Sequence, residues 1–212
     1  MFRFTYDTIK FNFSEKLSSF FQVNNLTHIN NNISVLDRPH DQFTQHHQQF
    51  YKFMKQPEFF SLYEAFIQEY VRPLYNDKIV VQSYPTFRIC YPNNVAIGEY
   101  HKDKNYRDTN WALQVKELNF FLPFTNAFGS NTIWVESEED KNDFTAMECN
   151  YGECIRWDAS NLTHGNIINQ TGKSRVSVDF RVIEYSNYIP SEIGSINQNI
   201  KFKLGGYYKL YD

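Results

Sequence analysis

The stretch Arg-Val-Ser-Val-Asp-Phe-Arg-Val at residues 175–182 alternates strictly between polar and apolar side chains. Because successive side chains of a β-strand point to opposite faces of a sheet, this alternation predicts a strand with one valine and phenylalanine face and one polar face. The polar face carries Arg175, Ser177, Asp179 and Arg181. If that face lines the inside of a small barrel, Arg175 is a buried cation that requires an anionic partner, for which a bidentate carboxylate is well suited.

A period of two continues along most of the chain from Ile79 onward, where short apolar or alternating runs are separated by turn clusters. This succession predicts a mainly β fold, an antiparallel barrel or sandwich of the jelly-roll type with flanking helices. The tail from Asn199 to Asp212 is expected to add one more strand or hairpin. The candidate strands cover residues 79–90, 97–102, 115–122, 131–136, 153–157, 163–168 and 174–184.

The first 80 or so residues have a helical spacing, because apolar side chains recur three and four positions apart between Phe59 and Leu74. A shorter helix is predicted from Asp41 to Met54, with Asp41 as its N-cap and Pro57 marking a break before the next helix. We therefore expect a helical N-terminal region that flanks the β core.

Length and composition are those of a globular protein with one core: 212 residues, of which 42% are hydrophobic and 21% charged. We expect a single domain with a helical part at residues 1–78, a jelly-roll core at 79–185 and a C-terminal extension at 186–212. The formal net charge of −3 offers no basic face for nucleic acids. No stretch reaches the roughly 18 apolar residues needed to span a bilayer. These features predict a cytoplasmic protein without a nucleic-acid or membrane partner, and its three cysteines are expected to stay reduced.

Three polar side chains are candidates for a metal site. His101 and Asp103 are two positions apart, so in extended backbone both point to the same face of a sheet, where one metal could contact them. His164 is the only other histidine of the strand-rich region and is the candidate third ligand. Two histidines and one carboxylate leave three adjacent coordination positions free, which is the arrangement that non-haem Fe(II) oxygenases use. The alternative is a chance His-X-Asp on the surface.

The order of His-X-Asp, a distal His and Arg-X-Ser resembles the 2-oxoglutarate and Fe(II)-dependent dioxygenases. More closely, Asn-Phe-Phe-Leu-Pro-Phe-Thr-Asn at 119–126 and Trp-Asp-Ala-Ser-Asn-Leu-Thr-His-Gly-Asn at 157–166 are similar to oxygenases of streptomycin-type and other carbohydrate biosynthesis clusters. The resemblance extends over residues 84–184. It implies a double-stranded β-helix, the cupin-like form of the jelly roll.

The resemblance also implies a set of cofactors and a reaction. Fe(II) would be held by His101, Asp103 and His164, and 2-oxoglutarate by Arg175 and Ser177. With O2, the 2-oxoglutarate would be converted to succinate and CO2 while a substrate carbon is oxidised. Relatives that halogenate replace the metal carboxylate with a small residue, so the presence of Asp103 favours hydroxylation or a related oxidation.

Further polar residues are candidates for the same pocket. Asn119 could hydrogen-bond the co-substrate, and Arg181 rivals Arg175 because it lies on the same strand face. The alternative for Arg181 is an ion pair with a neighbouring carboxylate such as Asp179 or Glu184, and Trp134 could equally be a core residue. The candidate substrate residues are Arg88, Asn131, Trp134 and Glu136.

The leading hypothesis is therefore a 2-oxoglutarate-dependent hydroxylase of a small polar metabolite, such as a sugar or aminocyclitol derivative. Two alternatives share the barrel: a non-catalytic, metal-binding jelly roll that binds carbohydrate, and an isomerase that acts on carbohydrate. Release of succinate from 2-oxoglutarate identifies the oxygenase, and conversion of a sugar without consumption of O2 identifies the isomerase.

Overall fold

Antiparallel strands and a layer of N-terminal helices make up the protein. The computed structural model describes residues 1–29, 35–36, 42–97, 99–106, 109–194 and 200–212. In chain order the strands are β1 (Phe2–Thr5), β2 (Ile79–Gln82), β3 (Thr86–Cys90), β4 (Leu118–Pro123), β5 (Trp134–Val135), β6 (Thr145–Ala146), β7 (Glu153–Trp157), β8 (His164–Gly165), β9 (Arg175–Glu184) and β10 (Tyr208–Tyr211).

The strands form a large and a small antiparallel sheet. The large sheet has the order β1-β7-β4-β9-β2-β10, and β3 pairs with the first half of β9. The small sheet has the order β6-β5-β8. Two facing antiparallel sheets of this kind form a jelly roll, so the predicted mainly β, double-stranded β-helix is confirmed.

The central strand of the large sheet is β9, the alternating stretch that opened the sequence analysis. It pairs with β4 along one edge and with β2 and β3 along the other. Its valine and phenylalanine side chains are buried in the main hydrophobic core, whereas Arg175, Asp179 and Arg181 line a cavity on the opposite face. The predicted division of this strand into two faces is therefore what positions the polar residues.

Helices α1 (Phe13–Phe21), α2 (Gln45–Met54) and α3 (Pro57–Phe66) contribute to the same core as the apolar face of β9. A π-helical turn (Ile67–Val71) and a 3-10 turn (Arg72–Leu74) continue α3. Pro57 occupies the first turn of α3, where its missing N–H costs nothing. The predicted N-cap Asp41 lies outside the described residues. A later helix, α4 (Thr109–Val115), precedes β4.

Local backbone constraints divide or shorten several predicted strands. The predicted strand 79–90 is two strands, because Pro85 between them has no N–H for the ladder. The predicted strand 97–102 is wrong: Ala96 has a left-handed φ of 56°, and the described residues of this range (97 and 99–102) form only an isolated bridge, at His101. Lys116, with a φ of 49°, separates α4 from β4, so the strand predicted from 115 starts at Leu118.

Short strands were missed where the sequence signal was weak. Residues 1–78 were expected to be helical, but Phe2–Thr5 pairs with β7 as an edge strand. Thr145–Ala146 adds a two-residue strand to the small sheet. In the tail, β10 pairs with β2, while Asn199 lies outside the described residues.

Two further findings complete the fold. Cys90, Cys149 and Cys154 are buried thiols outside any disulfide. Within the part of the chain that the structure describes, no helix combines the length and hydrophobicity required to cross a membrane.

The helical layer is attached to the sheet through aromatic stacking, which provides a test of the core. Phe50 of α2 is fully buried and stacks on Phe87 of β3, with ring centroids 3.9 Å apart and an interplanar angle of 7°. We expect Phe50→Ala to lower the free energy of unfolding by about 3–5 kcal/mol, because it removes a buried ring and leaves a cavity. Urea denaturation measures this change. Phe43→Ala, at a side chain that is 60% exposed, is the control and should stay within about 0.5 kcal/mol of the parent protein.

Candidate metal centre

Backbone pairing brings His101 and His164 together. Each residue donates its N–H to the carbonyl of the other, at 2.9 Å in both directions, and this bridge places their ring centroids 4.4 Å apart. The Asp103 amide donates to the Ala159 carbonyl at 2.9 Å and begins a 3-10 turn, Asp103–Tyr106. The expected extended backbone at His-X-Asp is thus replaced by a bridge followed by a turn, yet both side chains reach the same place.

The three side chains meet at one oxygen. Asp103 Oδ1 lies 3.5 Å from His101 Nε2 and 3.6 Å from His164 Nε2. One ligand atom from each residue lies within 4.8 Å of the others. A first-row metal about 2 Å from each of three ligand atoms brings those atoms to roughly 3 Å from one another, so a small inward movement would complete a site.

The far nitrogens of both imidazoles determine which nitrogen faces the aspartate. His101 Nδ1 lies 2.8 Å from the Glu99 carbonyl, and His164 Nδ1 lies 2.9 Å from the Leu162 carbonyl. A carbonyl can only accept, so each Nδ1 carries the hydrogen and a neutral ring has its lone pair on Nε2. Two lone pairs therefore point toward a carboxylate oxygen. A divalent cation resolves this repulsion, and imidazoles fixed through the other nitrogen are typical of metal ligands.

The surroundings shift the pKa values of the two imidazoles in opposite directions. Burial lowers the pKa of His164, although Asp103 opposes the shift. For His101, burial also acts to lower the pKa, but hydrogen bonds with Asp103 and the Glu99 carbonyl outweigh it and raise the pKa. His164 is therefore the ring more readily kept neutral, the state in which imidazole binds a metal.

The second oxygen of Asp103 is held by the protein. Asn119 Nδ2 on β4 donates to Asp103 Oδ2 at 3.1 Å, and Arg181 Nη2 on β9 donates to it at 2.9 Å. With Oδ2 occupied, Oδ1 is the oxygen that faces the imidazoles. The carboxylate is thus oriented for a single bond to a metal rather than for a two-oxygen chelate.

Arg181 belongs to a dense network. Besides Asp103, its guanidinium nitrogens lie within 3.5 Å of Glu117 and Asp179 oxygens and of the Gln82 and Tyr207 side chains. Glu117 is buried and accepts a hydrogen bond from the Tyr208 hydroxyl. The ion pair with Asp179, which was the alternative for Arg181 in the sequence analysis, is present, and the structure adds two carboxylates, Asp103 and Glu117, that the sequence did not suggest.

A small cavity opens beside the cluster. Arg88, Asn119, Arg175, Asp179 and Arg181 contribute to its wall together with the two histidines and Asp103. Trp157 and Tyr106 pack edge-on against His164 and His101, with centroid distances of 4.7 and 5.2 Å. The cavity is the place where a molecule bound next to a metal could lie.

Buried polar atoms around this cavity test whether an acidic ligand would fit. Ser177 is fully buried, and its hydroxyl has no hydrogen-bond partner within the described residues. The same holds for Asn119 Oδ1 and for the Trp157 indole N–H. Arg175 is 2% exposed, with its guanidinium over the Phe121 ring. The Ser177 hydroxyl and the Trp157 N–H suit a carboxylate ligand, because unsatisfied buried donors are costly, and the positive charge of Arg175 favours the same kind of ligand.

Three candidate substrate residues lie outside the lining of this cavity, and Arg88 lies within it. Asn131 accepts a hydrogen bond from the Phe128 amide and faces Thr171, and Trp134 donates to the Gly129 carbonyl. Although burial alone would raise it, hydrogen bonds from Thr163 and Asn142 lower the pKa of Glu136 to about 2. These three side chains organise the loops around the small sheet.

Cross-strand register explains a contact that the sequence analysis missed. Asn119 pairs with Arg181 on one side and with Trp157 on the other, so these three lie side by side across the large sheet. Both Asn119 and Arg181 reach Asp103 from this row. The sequence did not show how β4 pairs with its neighbours. Asn119 had therefore been considered for the co-substrate and Arg181 as the rival of Arg175, without a contact of either with Asp103.

No family model matches the chain. The chain is 34% identical over 176 residues to the streptomycin biosynthesis protein StrG of Streptomyces griseus, covering 82% of this chain and 80% of that protein. Among solved structures, the non-heme monooxygenase ThoJ in its nickel complex has a TM-score of 0.45 at 12% identity, covering 85% of this chain and 71% of ThoJ. EvdO2 from Micromonospora carbonacea var. aurantiaca, complexed with 2-oxoglutarate, has a TM-score of 0.43 at 12% identity, covering 71% and 68%.

The contact between Arg181 and Asp103 gives a prediction about metal affinity. Lysine in place of Arg181 keeps the charge but cannot contact Asp103, Glu117 and Asp179 together, so the carboxylate loses its fixed orientation. We expect Arg181→Lys to weaken Ni(II) or Co(II) binding by about 10- to 100-fold, measured by isothermal titration calorimetry. Arg3→Lys, at an exposed pair with Glu153, is the control and should bind metal like the parent protein. Unchanged affinity in Arg181→Lys would contradict this role.

Proposed function

Because the chain belongs to the family of the streptomycin biosynthesis protein StrG, within the 2-oxoglutarate and Fe(II)-dependent oxygenase superfamily, we propose that it hydroxylates a small polar metabolite. Fe(II) and 2-oxoglutarate, when bound, supply the activation of O2 for oxidation of a carbon–hydrogen bond, with succinate and CO2 as co-products. The observation that carries the proposal is the convergence of two imidazole lone pairs and one carboxylate oxygen at a cavity wall.

In this proposal His101, Asp103 and His164 hold the iron. The Glu99 and Leu162 carbonyls orient the two rings, and Arg181 and Asn119 orient the carboxylate. All three ligands approach from one side, which leaves the side facing the cavity for co-substrate and O2. Trp157 and Tyr106 pack against the rings and limit the access of water to them.

We propose that Arg175 and Ser177 bind the distal carboxylate of 2-oxoglutarate. Both side chains are buried on the cavity face of β9, and the Ser177 hydroxyl can donate to a carboxylate oxygen. Asn119 uses one N–H for Asp103 and retains a second that could reach the co-substrate. The roles of Asn131, Trp134 and Glu136 in substrate binding stay predictions.

The substrate proposed is a sugar or aminocyclitol derivative. Support comes from the name of the StrG relative, which places that protein in streptomycin biosynthesis. We also propose that residues 1–212 act as one oxygenase domain, because β1 and β10 join segments outside the jelly-roll core to the large sheet.

The direct experiment is an assay of succinate formation from 2-oxoglutarate with Fe(II) and O2, in the presence of a panel of sugar and aminocyclitol derivatives. The oxygenase proposal expects metal-dependent succinate release that a substrate stimulates. Conversion of a sugar without consumption of O2 would indicate an isomerase, and binding of carbohydrate without either reaction would indicate a non-catalytic jelly roll.

Removal of one proposed ligand should abolish turnover. We expect His164→Ala to lose Fe(II)-dependent succinate formation, because two remaining ligands cannot hold the metal in the required geometry. Circular dichroism should report a largely unchanged fold. His28→Ala, at an exposed histidine, should keep full activity. Parent-level turnover in His164→Ala would remove this residue from the metal site.

Removal of the proposed co-substrate cation should act differently. We expect Arg175→Ala to raise the 2-oxoglutarate concentration needed for half-maximal turnover by roughly 10- to 100-fold, since hydrogen bonds to a charged group contribute about 1.5–3 kcal/mol each. Metal affinity should change little. A parent-like requirement for 2-oxoglutarate would assign the carboxylate to another residue.

A further inference from the structure

Arg88 on β3 is a cation in the cavity wall whose terminal nitrogens remain available. Its Nε donates to Asp179 Oδ1 at 3.1 Å, and the side chain is 17% exposed. Within the described residues, no hydrogen bond involves either terminal nitrogen, Nη1 or Nη2. A guanidinium has five N–H groups, so four remain for a ligand.

The other two arginines of the cavity are assigned by their surroundings. Arg181 is surrounded by the carboxylates of Asp103, Glu117 and Asp179. Arg175 lies at the start of β9, where the proposed co-substrate site includes Ser177. Arg88 shares only Asp179, whose second oxygen faces Arg181. Among the described lining residues, Arg88 is therefore the guanidinium best able to bind a further anion.

Arg88 lines the same cavity as His101, Asp103 and His164. The backbone of Arg88 pairs with Ser177 on β9. The Nε atom of Arg88 contacts Asp179, which is the next residue on the polar face of β9 in the direction of Arg181. Arg181 in turn contacts Asp103. Arg88 thus contacts the polar face of β9 between Arg175 and Arg181, and Asp179 fixes the orientation of its guanidinium.

We propose that Arg88 binds an oxyanion carried by the substrate, so that the enzyme acts on an acidic metabolite bearing a phosphate ester or a carboxylate. Both groups match the planar fork of a guanidinium through two parallel hydrogen bonds. Asp179 holds the fork in place before the substrate arrives, which reduces the entropy lost on binding. This inference rests on the proposed oxygenase function and specifies the chemistry of its substrate.

The test uses the full chain loaded with Ni(II) and 2-oxoglutarate, which forms the bound state without turnover. Sulfate stands in for a phosphate ester because it coordinates metals weakly, and acetate stands in for a carboxylate. Both anions are titrated calorimetrically at constant ionic strength. The variants are Arg88→Gln and Arg88→Lys, and Lys141→Gln in an exposed loop is the control with the same change of charge.

We expect Arg88→Gln to weaken binding of the preferred anion about tenfold or more, Arg88→Lys to weaken it less, and Lys141→Gln to leave it unchanged. Affinity for 2-oxoglutarate should stay within about twofold in all variants. Tighter binding of sulfate than of acetate indicates a phosphate ester, and the reverse order indicates a carboxylate. If Arg88→Gln does not fold, the comparison uses Arg88→Lys, because loss of the planar guanidinium at constant charge should still weaken binding of the anion.

Three results would overturn the proposal: no anion binding by the parent protein, equal binding by parent and Arg88 variants, or a parallel loss of 2-oxoglutarate affinity that places Arg88 in the co-substrate site. Failure of the oxygenase function itself is distinguishable. In that case 2-oxoglutarate would not bind to the Ni(II)-loaded parent protein, whatever the anion titrations give.

Discussion

The Asp103 carboxylate is the group on which the rest of the centre depends. It is 8% exposed, and a charge removed from water to this extent is tolerated only with close partners. Arg181 and Asn119 satisfy one oxygen, and the other faces two imidazole lone pairs. A divalent cation between this oxygen and the two Nε2 atoms would be bound by all three side chains at once. Because Arg181 and Asn119 both donate to Oδ2, they determine that Oδ1 is the oxygen that faces the imidazoles.

In the large sheet, the alternating sequence of β9 has one face in the hydrophobic core and the other at the cavity. On one face of β9, Val176, Val178 and Phe180 pack into the core shared with the helices. On the other face, Arg175 lies at the start of β9 and Arg181 lies six residues further along the same strand. Because both faces belong to one strand, packing of the apolar side chains against the helices sets the positions of the polar ones. The helical layer thus contributes to the site without lining it, because its packing against the apolar face of β9 fixes the strand and, with it, Arg175, Asp179 and Arg181.

Much of the fold could be predicted from local pattern, and the site only in part. Alternation along 175–182 identifies the central strand, because it is long and its two faces have opposite character. His164 could be selected because it is the only histidine besides His101 in the strand-rich region. The extended backbone expected at His101 could not be corrected from the sequence, since a left-handed Ala96 leaves no pattern in residue types. The contact between Arg181 and Asp103 depends on the register between strands that are distant in the chain, and local sequence does not contain it.

The buried cysteines have a consequence for an enzyme that brings iron and O2 together. Burial raises the pKa of Cys149 to about 12 and that of Cys154 well above its usual value. The thiolate is the form that reacts fastest with peroxide-type oxidants, and both thiols are protonated at neutral pH, so their reaction is slow. Cys90 is also fully buried, next to the strand that carries Arg175. Burial therefore protects Cys149 and Cys154 from peroxide-type oxidants, which form when iron reduces O2 without oxidising a substrate.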